Sequence, residues 1–287
     1  MFRHSLFAAS ILAALLPLAA NAAGTRTHVS NAGSDANTAF SCDSAHPCRT
    51  FAAALTQTTP GGEILAIDSS GYGKVVIDRS VSIIAAPGVF AGIGVGAGGN
   101  ATGIEIATAG VNVALRGLTI TGQGGTYGIA MTNGASLTLE DCATTHFPGG
   151  NGVHVATAAK VSISNHVSHR NALGIFVTAG ATASISRSRI HDNTSTGIHV
   201  TSSFGTVTTA AITGSVITGN SYGVAVTSHV AGGVMASIGS STVSNGAVGL
   251  HQAATTGIGI LESAGNNQVS LHTSTNTSGT IITVPPM

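Results

Sequence analysis

Charge is the scarcest commodity in this chain: only 7% of the 287 residues are Asp, Glu, Lys or Arg, and ten basic residues balance ten acidic ones. A protein without a basic surface lacks the electrostatic footprint for nucleic acid or for an anionic membrane, so neither is expected as a partner. Tryptophan is absent, there are three tyrosines, and two of the eight phenylalanines, Phe2 and Phe7, sit at the extreme N-terminus. Little aromatic surface is therefore available for stacking sugars. Carboxylates are equally sparse: from Gly103 onward there are Glu105, Glu140, Asp141, Asp192 and Glu262, and only Glu140 and Asp141 are neighbours. A glycoside hydrolase needs two carboxyls facing each other across a groove, and no such pair stands out. Beyond the N-terminal region no apolar run approaches the ~18–20 residues that span a bilayer.

What is plentiful is glycine, 39 residues of it, and the glycines recur. Gly103-Ile104-Glu105-Ile106 is echoed by Gly128-Ile129, Gly152-Val153, Gly174-Ile175, Gly197-Ile198, Gly223-Val224 and Gly249-Leu250, at intervals of 25, 24, 22, 23, 26 and 26 residues. Each period holds a second apolar alternation, such as Val161/Ile163 or Ile185 followed by Ile190. A fixed period of about two dozen residues marks a solenoid, because one unit is too thin to bury its own apolar face. Alternation with period two makes the units strands. The expected fold is all-β: a single-stranded, right-handed parallel β-helix with a short N-terminal capping helix, right-handedness being the rule for parallel crossovers. Nine or so coils would make a rod about 40 Å long.

The remaining segments set the organisation. Residues 1–22 read as a cleaved secretory signal: Arg3 gives a short positive region, Ser5 to Ala20 is apolar, and Ala20-Asn21-Ala22 has the small-x-small pattern of a cleavage site. The mature chain is thus expected in the periplasm or outside the cell, with no membrane span after cleavage. Residues 23–62 form an N-terminal cap, in which Thr50 caps a short helix carrying Phe51, Ala54 and Leu55 on one face. That helix can cover the open apolar end of the stack, whose strand edges otherwise lack partners. Cys42 and Cys48 are an unlinked pair, metal ligands or a disulfide. An oxidising compartment lets them join, and no second cysteine pair completes a zinc site, so the disulfide is expected, with Cys142 a free, buried thiol. The β-helix is expected over 63–270 and a C-terminal tail over 271–287.

Gly33-Ser34-Asp35-Ala36-Asn37, Pro47-Cys48-Arg49-Thr50-Phe51-Ala52-Ala53-Ala54-Leu55, Gly61-Gly62-Glu63-Ile64, Gly71-Tyr72-Gly73, Leu115-Arg116-Gly117-Leu118-Thr119-Ile120 and Gly265-Asn266-Asn267 together resemble secreted bacterial right-handed parallel β-helix proteins of the pectin-lyase-like superfamily. The resemblance covers nearly the whole mature chain and implies a fold and an export route. It does not carry an activity with it. If lyase relatives are a guide, a polyuronate-cleaving site would need clustered carboxylates for calcium and a nearby base, and the carboxylates above do not cluster.

The repeat also places polar residues relative to one another. Asn171, Asn193, Asn220 and Asn245 precede repeat glycines by three or four residues and are expected to form an asparagine ladder at one turn. Arg116 and Glu140 align in adjacent coils, with Asp141, Asn165 and Arg187 one step along. His146, His169 and His191 lie five or six residues before Gly152, Gly174 and Gly197, which places three imidazoles on consecutive turns about 4.8 Å apart. With Arg170 and Asp192 beside them they are the candidate catalytic residues, expected either to share a divalent metal or to resist being charged together. His154, Phe176 and His199 occupy the outward slot of the glycine strand and are the candidate ligand contacts. Backbones about 9–10 Å apart in alternate coils make that histidine column a poor metal site, and no resident metal or cofactor is implied. The expected function is a non-catalytic exported β-helix presenting a Ser/Thr/Asn face to a surface or extracellular polymer, such as a polysaccharide, or to a cell-envelope component. The alternative is a carbohydrate-active enzyme, a polysaccharide lyase or glycoside hydrolase, working at the histidine edge.

Overall fold

The computed structural model describes residues 24–98, 101–203, 205–229 and 231–285. The secretory signal expected over 1–22 lies outside the described residues. No helix among those described is long and apolar enough to cross a membrane.

Each coil contributes one strand to each of three parallel sheets, of eleven, nine and nine strands. One coil runs through Lys160–Ser164 in the eleven-stranded long sheet, Val167–His169 in the short-strand sheet and Leu173–Thr178 in the glycine sheet. Period-two alternation points one residue of each pair inward. Ile104, Ile129, Val153, Ile175, Ile198 and Val224 are fully buried and Leu250 is 1% exposed, and each is register-paired with the next. The expected apolar row is therefore continuous.

Two corners turn the chain with single left-handed residues. Between the long and short-strand sheets these include Asp141 (φ 54°), Asn165 (φ 51°) and Arg187 (φ 47°); after the short-strand sheet they are His146 (φ 64°), Arg170 (φ 56°), Asp192 (φ 54°), Gly219, Asn245 and Leu271. The repeat glycines answer a different need. A Cβ on Gly128, Gly174 or Gly223 would lie 2.5–2.6 Å from the carbonyl oxygen of the glycine one coil on. Only a hydrogen fits between the coils there.

Buried polar ladders run along the interior beside both corners. Asn171, Asn193 and Asn220 are at most 1% exposed, and each carbonyl Oδ1 accepts the backbone N–H one coil back: Phe147 to Asn171 at 3.1 Å, Asn171 to Asn193 and Asn193 to Asn220 at 3.0 Å. Asn245 is not a rung, against expectation. It sits one residue earlier, at the left-handed corner beneath Gly219, whose N–H donates to Ser244 O. The last rung is instead His272, whose Nδ1 accepts from Gly246 N–H at 3.3 Å while Nε2 donates to Val243 O at 3.1 Å. Imidazole here places an acceptor and a donor where the amide places its own. The second ladder, beside the first corner, was not anticipated: His166, Ser188 and Ser215 donate their backbone N–H groups to the hydroxyls of Ser188, Ser215 and Ser241 at 3.1–3.2 Å.

At the N-terminus the helix Phe51–Gln57 buries Phe51, Ala54 and Leu55 as expected, and Thr50 accepts the Ala53 N–H. Three of the motifs behind the family resemblance, 33–37, 47–55 and 71–73, converge there. Asp35 accepts from the Arg49 and Thr50 N–H groups at 2.8 and 2.9 Å, Arg49 donates to Gly71 O at 2.7 Å, and buried Tyr72 packs on Phe51. They build the cap. The helix ends before Pro60, and strand Thr58–Ala66 begins five residues earlier than expected. At the other end, strands Thr275–Ser278 and Ile281–Val284 pair with preceding coils. The stack runs past 270 because Thr277 and Ile281 continue the rows of Leu250 and Leu261.

Cys42 and Cys48 are joined, and Cys142 is free and buried, with burial pushing its thiol up to about 11. Alkylation of the oxidised protein should therefore label nothing in native buffer, one cysteine in denaturant and three after reduction, as read by intact mass. Two or more labels without reductant would break the pairing.

Candidate functional site

The histidine edge forms at the end of the short-strand sheet, with one shift from expectation. His169 and His191 are in register and their rings stack at 4.8 Å with 6° between planes. His146 does not belong to that column. Thr145 is the register partner of His169, and His146 follows it at the left-handed corner. The rings of His146 and His169 still approach to 5.9 Å, edge to face.

Hydrogen bonds fix how these groups can act. Arg170 Nη1 lies 3.3 Å from His146 Nε2, His146 Nδ1 lies 2.8 Å from Thr145 Oγ1, and Thr145 Oγ1 lies 3.4 Å from His169 Nδ1. Arginine can only donate, so with neutral rings the donation runs from Arg170 to His146 to Thr145 to His169. His169 Nε2 is left carrying its proton outward. His191 is held on the other side by Asp192, 3.0 Å away. Partial burial, then the charges of His191, Arg170 and His146, push the His169 pKa down. Stacked rings do not converge their nitrogens, and no group of three His, Cys, Asp or Glu among the described residues could hold a metal ion.

The candidate ligand contacts also come together. His154, Phe176 and His199 are consecutive rungs of the glycine sheet, with Tyr127 beside them: ring centroids are 4.8 Å apart for Tyr127 and His154, 5.1 Å for His154 and Phe176, and 5.3 Å for Phe176 and His199. Two aromatic residues, Tyr127 and Phe176, are extended there by the histidines between and beside them. The rings pack on one another, His154 and Phe176 stacked, Phe176 and His199 edge to face. His199 Nε2 is satisfied by Thr227 Oγ1 at 2.8 Å, and burial pushes its pKa down to about 4.

The long sheet offers the continuous surface. Its outward column reads Ser82, Ala114, Thr138, Ser162, Ser184, Ala211, Ser237 and Glu262, one residue per coil. Three depressions of about 370, 470 and 270 Å³ overlap along it, the first two sharing Ser136 and Thr138, the last two sharing Thr182, Ala183 and Ala211. The result is a shallow axial groove of hydroxyls and methyls, with Lys160 on its wall and Glu262 at one end. The alternating Ser/Thr pattern signals such a face in the sequence, but not that it is grooved. Arg116 and Glu140 are register partners on its flank, as expected.

The description "right handed beta helix region" matches residues 102–281. Among solved structures, the crystal structure of pectate lyase Pel9A aligns over 89% of this chain and 78% of that chain, with TM-score 0.63 and 14% identity. At that identity the likeness is one of fold. Comparison with curated proteins finds no match. With three parallel sheets wound by one chain and the family pattern running through the coils that carry both the groove and the histidine edge, the protein belongs to the right-handed β-helix family.

Proposed function

We propose that the protein is a non-catalytic binder of linear, neutral polysaccharide, held along the long-sheet groove and working outside the cytoplasm. The observation that carries this reading is the groove itself: eight outward positions at the coil spacing of about 4.8 Å, seven of them Ser, Thr or Ala. Short hydroxyls hydrogen-bond an uncharged chain, and the absence of bulky groups lets it lie flat. The Cys42–Cys48 disulfide supports an oxidising compartment, and the fold shared with a pectate lyase supports a carbohydrate ligand by analogy. No opposed carboxyl pair lines the groove, which argues against hydrolysis there.

Affinity electrophoresis through gels cast with neutral glycans tests this, together with an assay for new chain ends. Wild type should be retarded and release no ends. Ser184→Trp, filling the groove floor at an exposed site, should weaken retention by about tenfold, or ~1.4 kcal/mol. Unchanged retention of that variant would remove the groove from the argument. The alternative, an enzyme at the histidine edge, draws on the His169 Nε2–H as a proton donor beside Arg170. Chain-end release that disappears in His169→Ala and His191→Ala would establish it in place of the binder.

A further inference from the structure

Three Asn-Gly pairs occur in the chain: Asn133-Gly134, Asn151-Gly152 and Asn245-Gly246. With no Cβ beside it, a glycine nitrogen is uncrowded and can attack the side-chain amide of the asparagine before it. The fold treats the three pairs differently. Asn151 and Gly152 are both buried within strand Asn151–Ala156, and the Asn151 amide is tied to His154 Nδ1 at 2.8 Å. Asn245 is exposed, but its Nδ2 donates to Thr218 Oγ1 and Ser244 Oγ at 3.3 and 3.4 Å, and the Gly246 N–H is taken by His272 Nδ1.

Asn133 and Gly134 lie where the chain passes from glycine-sheet strand Tyr127–Met131 to long-sheet strand Ser136–Glu140. Main-chain bonds pin this corner: Thr132 and Asn133 donate their N–H groups to Ile106 O at 2.9 and 3.2 Å, and Ala135 donates to Val111 O at 2.8 Å. Asn133 is exposed, and its side chain folds back on the next residue, the Gly134 N–H donating to Asn133 Oδ1 at 2.9 Å. Cγ, one bond from that oxygen, is thereby held beside the nitrogen that would attack it. The Nδ2 amino group, which must leave, has no hydrogen-bond partner among the described residues. Holding reacting groups together in this way is worth orders of magnitude in rate.

We propose that Asn133 is a self-modification site, at which the folded chain converts asparagine to aspartate and isoaspartate without an enzyme. The Gly134 nitrogen gives up its proton to solvent and bonds to Cγ; the Cγ–Nδ2 bond breaks, and that nitrogen leaves as ammonia. Water then opens the five-membered imide. Attack at Cγ restores the main chain and leaves aspartate, whereas attack at the main-chain carbonyl carbon reroutes the backbone through Cβ and Cγ and leaves isoaspartate. Either route consumes one water, releases one ammonia and gains one carboxylate. In a chain whose ten basic residues balance ten acidic ones, that single event takes the formal net charge from zero to −1. The new charge stands three residues before Ser136, which lines the long-sheet groove. The chemistry itself does not depend on what the groove binds.

Incubation of the folded full chain at mildly alkaline pH, followed by isoelectric focusing and peptide mapping, tests the proposal. An acidic form should accumulate, carrying aspartate and isoaspartate at position 133, and that position should convert more than about tenfold faster than 151 or 245. The rate should rise with pH, because the attacking nitrogen must first lose its proton. Asn133→Gln, whose longer side chain cannot close the five-membered ring, should yield no acidic form over the same interval and, as an exposed substitution, should melt with wild type. Concentrated urea frees all three pairs from the fold, and their rates should then converge. An acidic form that persists in Asn133→Gln, or a position 133 that reacts no faster than 151 and 245 in the folded chain, would overturn the proposal. So would the same spread of rates in urea, since the selectivity would then belong to local sequence and not to the corner.

Discussion

Gly174→Ala is expected to lower the unfolding free energy by about 3 kcal/mol, at the upper end of what overpacking costs. A Cβ there would sit 2.5 Å from the Gly197 carbonyl oxygen and 2.6 Å from Ile190 Cγ2. A flexible side chain could move aside, but the oxygen belongs to the next coil's backbone, in a sheet whose strands pair on both sides. Relief would require the coils to separate and lose the ladder between them. Gly96→Ala is the control, because nothing lies within 4 Å of the added carbon and the position ends its strand. It should stay within about 0.5 kcal/mol of wild type. Urea or thermal unfolding of the two variants side by side decides the matter; equal stabilities would mean that the repeat glycines are not there for close approach.

That glycine column shows what the sequence could and could not reveal. Its period gave the coils, and period-two alternation gave the inward row from Ile104 to Leu250, because both are local patterns repeated until only one stack satisfies them. The N-terminal cap was legible for a similar reason: a helix signal beside turn-rich sequence holding two cysteines. Corner residues were harder to place. Counting back from the repeat glycine put His146 in the column of His169 and Asn245 in that of Asn220. The chain between corner and glycine varies in length: His146 precedes its glycine by six residues, Arg170 by four and Asp192 by five. Counting forward from the inward residue of the short strand, Thr144, Ser168 or Ile190, would have given the true register. The serine ladder had a signal of this sort, since Ser188, Ser215 and Ser241 each precede an inward Ile or Val by two residues. The groove had none. Which face of a solenoid is concave depends on the corner angles, and no residue count reports those.

Acid should destabilise the protein well above the range in which its carboxylates titrate. His166 is fully buried within the second ladder, with Nε2 on Thr144 Oγ1 at 3.1 Å and Nδ1 without a hydrogen-bond partner. Burial pushes its pKa down to about 4, and does the same to His199 on the glycine sheet. In the unfolded chain both rings take up protons near the ordinary histidine value of about 6.5. Between that pH and about 4 the unfolded state binds protons that the native state refuses, so stability falls as the pH is lowered through this window and levels off beneath it. A ring held to about 4 contributes a loss of ~3 kcal/mol, with somewhat less from His199, which keeps partial contact with solvent. His166→Ser places at that position the side chain that Ser188 and Ser215 use one and two coils on. It should lower stability at neutral pH through the cavity it leaves, yet remove about 3 kcal/mol of the decline between pH 6.5 and 4. Urea midpoints measured across that interval give both slopes. If the His166→Ser slope equals that of wild type, the buried imidazole is not what makes the coil stack acid-sensitive, and the titration belongs to the surface.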